Sequence, residues 1–203
     1  MKWSTNKAKE YFTLEVMNIE DEKLQTACIA MITKIPSYFW TIPASSSGKY
    51  HPECDLDDGG LVRHSLMVCR CAMDLVTSEM FVRDTAANRD IARVAALFHD
   101  CIKNGPITTD ENGKVSYDSH TDFEHPRYAS DFVRENLTKF GIDELKVNMI
   151  SDAIYTHMGK WCTNKYGNDK ALSKPRTDFE KMIHIADYTA SRKYISGLEE
   201  WKE

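Results

Sequence analysis

The chain has 203 residues, enough for one large domain or a domain with an appendage, and 42% of them are hydrophobic, ample for a buried core. Against 26 lysines and arginines stand 31 aspartates and glutamates, a net charge of −5; this argues against a broad electrostatic grip on extended nucleic acid and leaves room only for a local basic patch. No uncharged apolar run approaches the roughly 20 residues needed to span a bilayer, and Met1 to Lys7 lead into charged sequence rather than a signal-peptide core, so no membrane partner and a cytoplasmic location are expected.

In chain order, residues 20–34 carry Cys28, Ile29, Met31 and Ile32 in a helical pattern stopped by Pro36. An aromatic segment, Tyr38 to Pro43, follows, and then the small polar run Ala44 to Gly48. Gly59 and Gly60 precede a helix over 61–81, whose apolar residues cover most of its circumference; such a helix belongs in the middle of a domain. Residues 90–103 place Ile91, Val94, Ala95, Phe98 and Ile102 on one face, and Asn104-Gly105-Pro106 ends that helix. Over 107–118 the period breaks, and Asp110-Glu111-Asn112-Gly113 reads as the turn of a short β-hairpin. Helices resume over 126–139, 143–158 and 177–195, with a polar surface loop from Gly159 to Pro175. The expectation is an all-α fold: a compact helical bundle with a small hairpin insertion.

The six cysteines form no C-x-x-C pair, and they read as reduced thiols filling space. No phosphate-cradling glycine loop of the P-loop or dinucleotide type is present.

The chemistry lies in His64, His99-Asp100, His125, His157 and Asp187. Asp100 follows the apolar run Ala95 to Phe98, and Asp187 follows the apolar Met182 to Ala186. A buried carboxylate is costly unless it is paired or coordinates a metal. Imidazole nitrogen and carboxylate oxygen are both good ligands for a borderline divalent ion, so a shared cation reconciles the set. Each residue also has a plainer reading. His64 suits a hydrogen-bonded core histidine, His125 a helix start ahead of Pro126, and His157 a helix C-terminus favoured by the macrodipole. The Asp55, Asp57, Asp58 cluster reads as a solvated loop or a cap for the next helix. His120 and His184 carry no assignable role.

Taken together, Tyr50-His51-Pro52, Gly59-Gly60-Leu61-Val62-Arg63-His64, His99-Asp100-Cys101-Ile102-Lys103, Glu124-His125-Pro126, Thr156-His157-Met158-Gly159 and Ile185-Ala186-Asp187-Tyr188 resemble the HD-domain metal-dependent phosphohydrolase superfamily. Its pattern is H…HD…D, extended in some branches by two histidines. The resemblance spans about 51–195, which would make residues 1–50 an N-terminal helical extension and 196–203 a tail. It implies an all-helical fold, with His64, His99, Asp100 and Asp187 on a first metal. His125 and His157 would hold a second, with Asp100 bridging. Lys103 sits where a lysine often follows the pair in this superfamily, on the same helical turn as the ligands, and would neutralise a phosphoryl oxygen. His51, Arg63 and Arg192 are weaker candidates for substrate contact. Mixed nitrogen and oxygen ligation suits manganese, iron, cobalt, nickel or zinc better than magnesium.

The implied reaction is hydrolysis of a phosphate ester in a nucleotide or related phosphodiester by metal-activated water. The superfamily also contains a 3′-to-5′ exoribonuclease, and a non-catalytic nucleotide-sensing module is the competitor from another class. The expected partner is a small phosphorylated molecule; oligomeric state is not legible.

Overall fold

The computed structural model describes residues 2–45, 48–106, 108–109, 111, 115–162 and 172–193. Seven α-helices form the described architecture: α1 (Thr5–Val16), α2 (Glu22–Ile32), α3 (Gly60–Thr77), α4 (Ala86–Phe98), α5 (His125–Lys139), α6 (Glu144–Thr156) and α7 (Asp178–Ala190). The hairpin lies between α4 and α5, with Thr108 opposite Ser116 and Thr109 opposite Val115 in an antiparallel pair. Its expected Asn112-Gly113 turn lies outside the described residues, as does the tail from 196. Among the described residues no helix is long and apolar enough to cross a membrane.

Helix starts follow their local chemistry. The side chains of Ser4, Asp21, Thr85, Asp143 and Thr177 each accept a backbone N–H in the first turn of the helix that follows. The start of α3 has no side-chain cap, contrary to the expectation for the aspartate cluster. Its N-cap is Gly59 in the left-handed region at φ 74°, and a Cβ on Gly60 would collide with the Asp55 carbonyl. Asp55 is itself buried, at 3% exposure, rather than solvated.

α3 packs against α4 and α7, α6 against α4, α5 and α7, and α1 and α2 close the bundle from outside. The N-terminal segment reaches the core through aromatic rings. Phe12 of α1 meets Phe39, Trp40 and Phe98 edge-on, at centroid distances of 5.6, 5.5 and 5.3 Å. Such pairs add about 0.5–1.5 kcal/mol each beyond the area they bury. Phe98 directly precedes His99, so the N-terminal segment supports the end of α4. The Tyr38 hydroxyl donates to the Gly105 carbonyl at 2.6 Å and holds the turn beyond that end.

Two boundaries differ from the sequence expectation in ways that matter for the site. The helix expected over 90–103 stops at Phe98, and Cys101, Lys103 and Gly105 continue in three-residue turns. The reason is His99: its Nδ1–H donates to the Ala96 carbonyl at 2.7 Å, using an acceptor that a further helical turn would need. The segment after α6 is not surface loop at its ends. Gly159–Trp161 is a 3-10 turn, Cys162 and Leu172 are buried, and Leu172 N–H donates to the Cys162 carbonyl at 2.9 Å. Residues 163–171, with Gly167 and Asn168, lie outside the described residues.

Candidate metal centre

Five segments bring six donor side chains together, and all of them but the fully buried His99 line one cavity of about 480 Å³. His64 comes from the middle of α3, His99 and Asp100 from the end of α4, His125 from the first turn of α5, His157 from the end of α6, and Asp187 from α7. All but Asp187 are at most 3% exposed; the Asp187 side chain opens to the cavity at 21%.

Three of the histidines share one local device. His99 donates Nδ1–H to Ala96, His125 to Asp122 at 2.6 Å and His157 to Ile154 at 2.7 Å, each to the carbonyl three residues earlier. A main-chain acceptor on Nδ1 fixes the tautomer and turns Nε2 toward the site, as metal-binding imidazoles require.

The donor atoms fall into two groups around Asp100. Its Oδ2 lies 3.3 Å from His99 Nε2 and 3.9 Å from His64 Nε2, and Asp187 Oδ1 lies 3.1 Å from His64 Nε2 and 3.8 Å from His99 Nε2. Its Oδ1 lies 3.1 Å from His125 Nε2 and 3.6 Å from His157 Nε2, which are 3.3 Å from each other. In a neutral ring that donates through Nδ1, Nε2 is an acceptor. With both rings in that form the second group is three acceptors facing one another, an arrangement that a shared cation satisfies. His99 Nε2 and Asp100 Oδ1 are buried without a hydrogen-bond partner, which points the same way. Ligand atoms about 2.1 Å from one ion stand about 3 Å apart at right angles, so the residues present fit one ion in each group.

The electrostatics agree. Burial opposes ionisation of Asp100, but the Lys103 ammonium and the His99 and His125 rings outweigh it and hold the carboxyl well below the usual range. Burial opposes ionisation of Asp187 too, and His64 and His99 overcome it. His99, although buried, has its proton affinity raised by Asp100 and Asp187. A position where two carboxylates stabilise a proton also favours a metal ion. Burial, helped by the positive potential of His99, pushes His157 down to about 3, leaving a neutral ring available as a ligand.

The remaining expected residues divide. Lys103 lines the cavity, and its Nζ donates to Asp100 Oδ2 from the turn beyond α4, not from the same helical turn. His51 also lines it, with its ring 4.8 Å from that of His64; burial, then the nearby His64 and Lys103, push it down to about 3, so it offers a neutral imidazole and no charge. Arg192 lines the cavity from the end of α7. Arg63, expected as a substrate contact, does not. Its guanidinium is held by Asp57 and by the Cys54 and Asp58 carbonyls, at 2.6 and 3.0 Å for the two carbonyls, and lies over the Trp3 ring.

His184, without a role in the sequence, has one here. Its Nδ1–H donates to the His157 carbonyl at 2.7 Å, and its ring fills the space where a Cβ on Gly159 would sit. Gly159 also has a positive φ of 56°. Together they hold the turn that carries His157. The available signal was His184 one helical turn before Asp187, on a helix already carrying a ligand. Tyr50 and Tyr188, which fall within the motif segments without a role of their own, line the same cavity, as do Lys160 and Trp161.

Comparison with curated proteins and with solved structures returns no match. The HD domain family model matches residues 61–192, nearly two-thirds of the chain, and includes every one of the six converging donors from His64 to Asp187. The chain thus belongs to the HD domain family, within the superfamily of metal-dependent phosphohydrolases.

Proposed function

We propose that this HD domain hydrolyses a phosphate ester of a nucleotide or related phosphodiester. One ion would be held by His64, His99, Asp100 and Asp187, and a second by Asp100, His125 and His157. The observation that carries this reading is Asp100, one of whose oxygens faces His64 and His99 Nε2 and the other His125 and His157 Nε2, at 3.1–3.9 Å. The donor chemistry suits manganese, iron, cobalt, nickel or zinc. When bound, such ions lower the pKa of water and polarise phosphoryl oxygens.

The chain's own groups supply the rest. Asp100 and Asp187 stay ionised and hold the positive charge that orients the ester. Lys103 reaches the cavity with three donor hydrogens, one of them given to Asp100. The others are free to take a phosphoryl oxygen as its negative charge grows. His51, neutral, can accept or donate one hydrogen bond to the substrate.

Metal removal tests the central point. Chelation is expected to abolish hydrolysis across a panel of mononucleotides, cyclic dinucleotides and short oligonucleotides, and manganese to restore it better than calcium. Full activity in metal-free protein would overturn the reading. For Lys103, the Lys103→Ala variant is expected to keep its metal and lose about 10²–10³ in turnover, the size of one lost electrostatic donor. An unchanged rate on the substrate that the panel identifies removes Lys103 from the chemistry.

A further inference from the structure

We infer that the part of the cavity wall formed by Tyr50, Trp161, Tyr188 and Arg192 stacks on the nucleobase of a nucleotide substrate. Trp161 and Tyr188 act there as specificity-determining residues. The inference rests on the phosphohydrolase reading only for placing the phosphate at the metal donors.

Three observations carry it. Among the described residues five aromatic side chains are exposed, and three of them, Tyr50, Trp161 and Tyr188, line this single cavity. A soluble protein gains nothing by exposing large rings in one concavity unless they meet a ligand. The rings are also layered. Trp161 and Tyr188 stack with centroids 5.3 Å apart and planes 17° from parallel. The Arg192 guanidinium lies 3.7 Å from the Tyr188 centroid and 5.5 Å from that of Tyr50. Guanidinium planes and aromatic rings are the two surfaces on which bases stack. Trp161 and Tyr188 remain 38% and 37% exposed, so ring surface is open to a ligand.

The third observation is charge. Arg192 Nε is buried without a hydrogen-bond partner. Among the described residues neither Arg192 nor Lys160, whose Nζ lies 4.6 Å from the Trp161 centroid, has a carboxylate within ion-pair distance. The two acids lining the cavity, Asp100 and Asp187, face the histidines instead. The wall is thus both flat-ringed and cationic, which suits a base carrying phosphate and ill suits an apolar peptide.

The test compares AMP with ribose 5-phosphate, which has no base, on the manganese-loaded full chain. Binding is read on mixing, before turnover, by tryptophan emission and, for the unaltered protein and every variant alike, by rapid filtration with radiolabelled AMP and radiolabelled ribose 5-phosphate. AMP is expected to quench Trp161 and to bind about tenfold or more tightly than ribose 5-phosphate, the effect of one stacked base. Because every base has a π-face, AMP serves whichever base the natural substrate carries. Trp161→Ala is expected to remove the quench and most of the AMP advantage, while ribose 5-phosphate affinity stays within about twofold, less than one stacked base contributes. Trp161→Phe is expected to recover the affinity without the tryptophan signal, which separates stacking from a structural defect. Equal affinity of the two ligands for the unaltered protein, or no binding of AMP, overturns the inference. Hydrolysis of phosphate esters with equal affinities would remove the base-binding wall and leave the phosphohydrolase reading intact. Tight AMP binding without hydrolysis of any ester would do the reverse.

Discussion

Asp100→Ala is expected to strip the protein of bound metal and of turnover together. Among the described residues Asp100 is the one carboxylate with an oxygen toward each donor group: one oxygen lies 3.3 Å from His99 Nε2, the other 3.1 Å from His125 Nε2. Removing the side chain leaves His125 and His157 with no carboxylate and His64, His99 and Asp187 with one fewer ligand. It also leaves Lys103, 9% exposed, without its carboxylate partner, and an unpaired buried cation is destabilising. Asp100→Asn keeps the shape of the side chain and an oxygen that accepts from Lys103 while removing the charge, so it weakens metal binding with less loss of stability than Asp100→Ala. Metal analysis and thermal unfolding on both variants read the result. Metal content equal to that of the unaltered protein in Asp100→Ala would show that Asp100 is not a ligand.

The double variant His125→Ala with His157→Ala is expected to lose one ion per chain, keep the other and fall steeply in turnover. Among the described residues these rings meet only Asp100 of the carboxylates, through Oδ1, whereas the group of His64, His99 and Asp187 with Oδ2 is untouched. In two-metal hydrolytic sites the ions lie about 3.5–4 Å apart and clamp the attacking and leaving oxygens. Losing one therefore costs far more than half the activity. A single ion in saturated unaltered protein, with both histidines away from it, would reject the dinuclear arrangement. Membership of the HD domain family would survive, because it rests on the match over residues 61–192.

How much of this was legible beforehand depended on how local the cause was. Helix existence follows from apolar spacing, and all five helices expected from residue 61 onward, together with α2 and the paired strands of the hairpin, appear within about five residues of their expected ranges. The six donors were legible because an acid set in an apolar run, such as Asp100 after Ala95 to Phe98, announces its own desolvation cost. Helix ends were less so. Nothing in residues 90–103 says that the His99 ring will take the Ala96 carbonyl and end α4 at Phe98.

The neighbours of the donors were the least legible. Arg63 and Arg192 both stand near a ligand in sequence, yet only Arg192 reaches the cavity. Adjacent residues on a helix point about 100° apart, so with His64 turned inward Arg63 is carried toward Asp57 and Trp3. His184 gained its role from the approach of α7 to the Gly159 turn. Sequence by itself determined which acids and histidines to expect together and which segments are helical, since both follow from periodicity and burial cost over a few residues. Only the tertiary structure decided that one Asp100 faces two donor groups and that Trp161, Tyr188 and Arg192 form one wall. Those facts depend on how helices far apart in the chain pack against one another, and no local pattern encodes that.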